Sequence, residues 1–419
     1  MNIYLILIPA ILIGDYLLNL FAEILNARNI SNSLPEEFKG YYDEGLYRKS
    51  QDYLKENTYF RIVKKAVFTA ILLILILSGG FNFIDIIARK ATDISLFQGL
   101  IFFTVFFLIA EFLEVPFSVY RTFNIEEKYG FNKTTPKTFV SDLIKRWLLT
   151  ALLGGAVLLF ILWFFRNLGP GAWVWCWLAV ICFEIFVTFL APVLIMPLFN
   201  KFVPLEKDEL AEKIYAYARG ENFHLKSILK MDGSRRSTKS NAFFTGFGKN
   251  RRIALFDTLL KRHSDEELVS VLAHEIGHFK KAHIIKLMIV SFLTTGVMFY
   301  TFSLFLNNPL LFDAFKMERT SVHASLILVA ILYLPLGTVF SIFANALSRK
   351  YEYQADYYAC KTYKKPLSMI NALKRLSADN LSNLTPHRFK VILNYSHPPV
   401  LKRIEAIKKN FFSSNSDHE

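Results

Sequence analysis

The sequence predicts an all-α polytopic membrane protein with seven transmembrane helices and a polar domain that carries a small β-hairpin. Three observations support this prediction. The 419-residue chain is 53% hydrophobic and only 20% charged, and its mean hydropathy is +0.31, whereas soluble proteins of this length are more polar. Apolar segments of membrane-spanning length recur along the chain. The polar motifs cluster in two regions, one between such segments and one after the last of them.

Seven segments have the roughly 20 mostly apolar residues that are needed to cross a bilayer. They cover residues 3–25, 63–84, 97–120, 147–165, 171–196, 284–306 and 323–347. Ionisable residues inside such segments are costly when they face lipid, so we expect Asp15 and Glu184 to face a bundle interior or a watery cavity. For Glu111 and Glu114, an interior position and a position near the lipid headgroups both stay open.

The distribution of basic residues predicts the orientation. The formal charge of +14 comes from Lys and Arg dispersed between apolar runs, which favours membrane loops over nucleic-acid binding. The loops 26–62 and 121–146 are rich in Lys and Arg, whereas the link between the fourth and fifth segments has only Arg166. Because basic loops stay in the cytoplasm, we expect residues 197–283 and the C-terminal tail to be cytoplasmic.

A metal-binding helix is predicted to begin at Ser264. Ser264 and Glu267 form a capping-box pattern, and the stretch that follows contains LAHEIGH. His274 and His278 are four residues apart, so they share one helix face and could bind one zinc ion together. Glu275 is rotated about 100° from His274 by the helical period, near enough to act on a metal-bound water without binding the metal. The alternative is a pair of unrelated surface histidines.

A catalytic zinc site needs a third protein ligand. A metzincin would have a histidine where Ile284 stands, so that class is excluded, and His283 is expected to cap the helix or bind water. The stretch SRKYEYQADYYA is predicted to be helical, with Glu352 and Asp356 on one face. Glu352 would complete the ligand set, and Asp356 could accept a hydrogen bond from a ligand histidine. Taken alone, the stretch also fits an amphipathic helix with solvated acids.

A β-hairpin is predicted shortly before the metal helix. Residues 241–246 and 251–257 are typical of two strands, and the tight turn between them contains Gly248 and Asn250. A strand beside a zinc helix can bind an extended peptide by strand addition, and Asn241 and Ala242 are the candidates for these contacts. A hairpin of this kind is also common as plain scaffold.

Five motifs occur in order along the chain: SNAFFTGF, RRIALFDTLL, VLAHEIGHFKKAH, EYQAD and NYSHPPVLKRIEAI. Together they resemble the type I CAAX prenyl protease family of integral-membrane zinc metallopeptidases. FNIEEKYGFNK and IMPLFNKFVPL extend the resemblance upstream. One departure is Lys239, where many family members have histidine. The rich use of Phe and Lys favours a bacterial homologue.

The resemblance implies one zinc ion per chain, bound by His274, His278 and Glu352, with Glu275 as the catalytic base. It implies that Asp356 is either a proton donor or a hydrogen-bonded support of the site. His397 would help to position the substrate or stabilise the oxyanion, whereas without the resemblance it would be an ordinary loop histidine. The helices would surround a large water-filled chamber that is capped by the zinc domain.

The predicted organisation has four parts. Residues 1–200 contain helices one to five, 201–283 the zinc peptidase core, 284–347 helices six and seven, and 348–419 the C-terminal part with the third ligand. The function that the resemblance implies is CAAX-type processing of peptide or protein substrates, with or without a prenyl group, at a bacterial cytoplasmic membrane or, in a eukaryote, the endoplasmic reticulum. The alternatives are a bacterial quality-control protease and a seven-span transporter or sensor with structural zinc.

Overall fold

A computed structural model describes residues 2–31, 33–206, 208–245 and 251–412 of the protein. Long apolar helices form a bundle, and their shared core contains Phe81, Phe102, Phe165 and Phe312. The helices of this bundle are α1 (Tyr4–Arg28), α2 (Glu44–Ser78), α3 (Gly80–Ala91), α4 (Ser95–Tyr120), α5 (Pro136–Leu149), α6 (Gly155–Leu168), α7 (Trp173–Leu194), α8 (Met196–Phe199), α12 (His283–Phe305), α13 (Pro309–Ala314) and α14 (Val322–Tyr363).

Among the described residues, shorter helices and four strands form a second layer, which includes the C-terminal helices. The strands are β1 (Phe202–Pro204), β2 (Ser227–Met231), β3 (Ala242–Thr245) and β4 (Arg252–Phe256). The helices are α9 (Glu209–Gly220), α10 (Asp257–Arg262), α11 (Asp265–Lys280), α15 (Pro366–Asp379), α16 (Arg388–Asn394) and α17 (Val400–Phe411).

Within the described residues, five helical runs are long and apolar enough to cross a membrane. The helices α2 and α3, which meet at a bend of 68°, give a sixth candidate span if they are counted together. One of these runs covers Pro136–Phe199 and includes both α6 and α7. The Cys176 sulfur on α7 is 3.9 Å from the Ile161 carbonyl oxygen on α6, so these two helices lie side by side. If the run is counted as two spans, the number is the predicted seven. That all seven cross a bilayer, around a chamber, stays a prediction.

Acidic residues inside the apolar helices contact cations on neighbouring helices. Asp15 on α1 lies 2.8 Å from the Lys65 ammonium on α2. Glu114 on α4 lies 2.6 Å from the Lys64 ammonium. Glu111 accepts hydrogen bonds from Arg146 and Trp147 on α5. Such pairing lowers the cost of a charge at membrane depth, which accounts for acids in otherwise apolar sequence.

The predicted hairpin is part of a larger sheet. Strands β3 and β4 pair antiparallel, with Ala242 opposite Leu255, as expected; the turn with Gly248 and Asn250 lies outside the described residues. Two strands that were not predicted extend this hairpin, since β2 pairs parallel to β4 and β1 pairs antiparallel to β2. The order β1-β2-β4-β3 leaves β3 at an edge of the sheet among the described strands.

Two helices join the membrane bundle to the polar layer. The helix α14 runs without interruption from the apolar segment into the polar stretch that contains Glu352 and Asp356. The helix α11 begins at the predicted capping box, in which the Ser264 and Glu267 hydrogen bonds are both present. It ends before Ala282, whose left-handed φ of 55° separates it from α12. The helices α11 and α14 pack against each other, and the candidate site lies between them.

Candidate metal centre and catalytic cleft

Three side chains from α11 and α14 converge on one point. The Nε2 atoms of His274 and His278 are 3.1 Å apart. The Glu352 carboxylate lies 3.5 Å from His274 Nε2 and 3.3 Å from His278 Nε2. One ligand atom from each residue lies within 4.8 Å of the other two. The structure thus brings together the three predicted ligands, although Glu352 lies 74 positions after His278 in the sequence.

Close helix packing makes this convergence possible. At Gly277, an added Cβ atom would lie only 3.2 Å from the Cα and carbonyl oxygen of Ala355 and from Tyr358 Cβ. These contacts are tighter than ordinary van der Waals contacts, so glycine lets α11 approach the α14 backbone closely. Gly277 is next to His278 in sequence and Ala355 is next to Asp356. The motif glycine therefore helps to set the distance between the two halves of the site.

The cluster has the chemistry that a divalent cation requires. The buried Oε2 atom of Glu352 accepts no hydrogen bond from the described residues, although the Arg403 guanidinium is 3.1 Å away. The facing Nε2 atoms of His274 and His278 can both offer a lone pair to a metal when each ring carries its proton on Nδ1. Burial would lower the pKa of His274, but the Asp356 and Glu352 carboxylates raise it to about 9. These residues fit a zinc ion with three protein ligands and an open fourth position.

Asp356 and Arg403 form an ion pair next to the candidate ligand His274. Asp356 Oδ1 is 2.9 Å from His274 Nδ1, so His274 can donate this proton and keep its Nε2 lone pair for a metal. Arg403 on α17 forms a two-bond contact with Asp356, with distances of 2.6 and 2.8 Å. Sequence reasoning missed Arg403, although it lies within the NYSHPPVLKRIEAI motif. Its only sequence signal was a position on a short amphipathic helix.

The charges of the site also favour a divalent cation. With His274 and His278 neutral, as metal ligands must be, Glu275, Glu352 and Asp356 carry three negative charges when ionised, and Arg403 carries one positive charge. The remainder is two negative charges. Since a buried site with uncompensated charge is costly, a divalent cation would balance this group of side chains.

Glu275 lies beside the ligand cluster rather than within it. Its side chain lines a cavity of about 140 Å³ together with His274, Glu352 and His397. Burial raises the pKa of the Glu275 carboxyl above its usual value. A carboxylate with a raised pKa is a better proton acceptor near neutral pH. This placement fits the predicted role of a base that does not bind the metal.

The edge of the sheet forms another wall of the same cavity, which Asn241 and Ala242 line. The Asn241 carbonyl oxygen accepts a hydrogen bond from Phe256 N–H on β4. Because successive residues of an antiparallel strand point their peptide groups to alternate sides, the N–H and C=O of Ala242 face away from β4, towards the open edge. The Asn241 side-chain oxygen is 2.9 Å from this Ala242 N–H.

His397 precedes α17 and reaches the cavity from the C-terminal side. Its Nε2 atom lies 3.4 Å from Glu352 Oε1, and its side chain is 66% exposed. Its other ring nitrogen is 3.0 Å from the Ser396 hydroxyl. An exposed imidazole beside the ligand cluster can contact a bound peptide, in line with the role that the motif resemblance implies.

Lys239, the departure from the family pattern, anchors the start of β3. Its ammonium group lies 2.8 Å from the Glu126 carboxylate and 2.9 Å from the Tyr53 hydroxyl. The same group lies 4.3 Å from the centre of the Phe131 ring. These contacts connect the strand edge to the FNIEEKYGFNK loop, so the lysine has a structural role two residues before Asn241.

Comparisons with known proteins agree along nearly the whole chain. Residues 23–201 match the CAAX prenyl protease N-terminal domain, described as five membrane helices, and residues 204–410 match peptidase family M48. A probable CAAX prenyl protease 1 of Schizosaccharomyces pombe is 33% identical over 98% of this chain and 90% of its own. A CAAX prenyl protease 1 homologue of Arabidopsis thaliana is 34% identical over 90% of both chains.

The fold has a close match among solved structures. The crystal structure of S. mikatae Ste24p superposes with a TM-score of 0.91 and 30% identity, over 96% of this chain and 99% of that one. The chain is thus a multi-pass membrane protein and an enzyme, and the expected resemblance is confirmed. The chain belongs to peptidase family M48, and its N-terminal half is the membrane-helix domain of CAAX prenyl proteases.

Proposed function

We propose that the protein is a zinc endopeptidase that removes the C-terminal residues of prenylated CAAX-type substrates at the cytoplasmic face of its membrane. The observation that carries the proposal is the convergence of His274, His278 and Glu352 on one point, beside Glu275 and an open strand edge in one cavity. The names of the relatives supply the substrate class.

Each residue of the site has a role in this proposal. His274, His278 and Glu352 would hold the ion, and Asp356 orients His274 through the Nδ1 hydrogen bond. A zinc ion at this point supplies a Lewis acid and lowers the pKa of water. Glu275 accepts a proton from the attacking water and donates it to the leaving amine.

The substrate is held by the strand edge and by apolar side chains. The outward-facing C=O of Ala242, and its N–H once the Asn241 side-chain oxygen has released it, pair with the peptide as an added strand. Asn241 and His397 contact the peptide at either side of the scissile bond. The helix α15 contributes Met369, Leu373 and Leu376 to the cavity wall. This apolar wall suits the aliphatic residues that precede the C-terminal residue of a CAAX sequence.

The alternatives are less well supported. A structural zinc site usually has four protein ligands, whereas the part of the chain that the structure describes offers three candidate ligands beside a cavity. A transporter or sensor with structural zinc is therefore not favoured. A bacterial quality-control role has no specific support in the structure, and a bacterial origin stays a prediction.

A peptide cleavage assay tests the proposal. The purified protein is incubated with a farnesylated CAAX peptide, the same peptide without lipid, and the farnesylated peptide with a C-terminal amide. We expect release of the C-terminal tripeptide from the first and slower release from the other two. A matched pair of variants serves as control: Glu275→Gln should be inactive, and Glu405→Gln, an exposed acid on α17, should match the unaltered protein. Absence of cleavage by zinc-loaded protein would refute the proposal.

A further inference from the structure

A third histidine lies directly behind the candidate metal ligands. His283, the first residue of α12, is 1% exposed. Its Nδ1 atom is 3.1 Å from Nδ1 of His278, and its Nε2 atom is 2.9 Å from Gln354 Oε1. Its ring stacks on Tyr351, with 4.2 Å between ring centres and 5° between planes. The expectation that His283 caps a helix or binds water was therefore wrong, since it is buried against a ligand.

The hydrogen-bond partners fix where each ring carries its proton. An amide oxygen can only accept, so His283 must donate from Nε2 to Gln354. A neutral imidazole has one ring proton, so His283 Nδ1 is then an acceptor. The proton between the two histidines must come from His278 Nδ1. The Nε2 atom of His278 is left with its lone pair directed at His274 and Glu352.

We propose that His283 and Gln354 form a neutral relay that holds His278 in the tautomer and orientation needed to bind the metal. The inference rests on the proposed metal site. His274 is supported by the charged Asp356–Arg403 pair, whereas His278 is supported by two neutral side chains. Because His283 and Gln354 are neutral, they fix the His278 ring without changing the net charge of the site. His283 and Gln354 are positioning residues, since neither lies within the ligand cluster.

The relay depends on the local fold of both helices. The left-handed conformation of Ala282 (φ 55°) ends α11 and starts α12 one residue later, which puts His283 close to the preceding turn. On α14, Gln354 lies between Glu352 and Asp356 in sequence, and Tyr351 provides the face on which the ring stacks. The ring is thus held by one stacking contact and two hydrogen bonds.

Zinc affinity, measured by chelator competition, tests the relay. His283→Phe keeps a stacking ring but removes both nitrogens, and Gln354→Met removes the acceptor. We expect His283→Phe to bind zinc about 10–100-fold more weakly than the unaltered protein does. Gln354→Met should bind zinc more weakly than Gln354→Glu, because the glutamate carboxylate still accepts the hydrogen bond from His283. Tyr351→Phe is the matched control and should bind zinc as the unaltered protein does.

Two further measurements separate a positioning role from a loss of fold. The melting temperature of the chelator-treated proteins reports folding without metal. The visible absorption of the Co²⁺-loaded proteins reports ligand geometry, and it should change in His283→Phe but not in Tyr351→Phe. If unaltered protein binds zinc stoichiometrically and His283→Phe binds equally tightly, the relay is wrong and the metal site stands. Equal affinity of Gln354→Met and Gln354→Glu would also overturn it. If unaltered protein binds no zinc, the proposed function itself fails.

Discussion

The two roles left open for Asp356 by its sequence can be separated by the substitution Asp356→Asn. The side chain is 3% exposed, and one oxygen lies 2.9 Å from His274 Nδ1. An asparagine could still present an oxygen to His274, but its NH₂ group would then face the Arg403 guanidinium, and two donors would meet. We therefore expect most of the support for His274 to be lost.

The size of the effect follows from the contact. A hydrogen bond to a charged group contributes about 1.5–3 kcal/mol. Since about 1.4 kcal/mol corresponds to a factor of ten, zinc should bind about 10- to 150-fold more weakly. The assay is chelator competition, followed by peptide cleavage at saturating zinc, with the exposed Glu405→Gln as control.

The two roles of Asp356 predict different cleavage rates for the variant at saturating zinc. If Asp356 orients His274, added zinc should restore a large part of the cleavage rate. If it is the proton donor, the rate should stay low however much zinc is added. Unchanged zinc affinity together with lost activity would refute the orienting role.

Three further predictions address the third ligand, the strand edge and the orientation. Glu352→Ala should lose both zinc and cleavage, and full zinc occupancy by metal analysis would contradict the ligand assignment. Lys239→Met removes the ion pair with Glu126, which contributes about 1 kcal/mol. If this free energy is lost from substrate binding, KM for the peptide should rise about fivefold with the zinc content unchanged. An unchanged KM would show that Lys239 does not anchor the strand edge for substrate binding. In a variant without native cysteines, Glu209→Cys should react with an impermeant thiol reagent only after the membrane is opened, and Arg319→Cys already in intact cells. The opposite pattern would reverse the orientation.

Features that depend on a few neighbouring residues could be predicted from the sequence. The Ser264–Glu267 capping box has both expected hydrogen bonds. The spacing of His274 and His278 placed them on one face of α11, because helical geometry is local. The same spacing argument put Glu352 and Asp356 on one face of α14. That the two faces meet came from the motif resemblance rather than from spacing.

Features that depend on distant packing could not be predicted. Arg403 contacts Asp356 across 47 residues of chain, and nothing in a short helix indicates which partner it will face. His283 was misjudged because its direction depends on the left-handed Ala282, a conformation uncommon for alanine. Strand β1 was missed because it has only three residues and contains Pro204. Strand β2 was missed because its parallel pairing with β4 joins residues that are distant in sequence, with Ser227 opposite Arg252.

In the proposed mechanism, Glu275 acts on water while His274, His278 and Glu352 hold the zinc. The most direct test is Glu275→Gln, which keeps the size of the side chain and removes its charge. The purified variant is analysed for zinc content and, in the same preparation, for cleavage of the farnesylated peptide. We expect one zinc ion per chain, as in unaltered protein, with no cleavage. Loss of the zinc would show that Glu275 belongs to the ligand set, and cleavage at the unaltered rate would show that it is not the base.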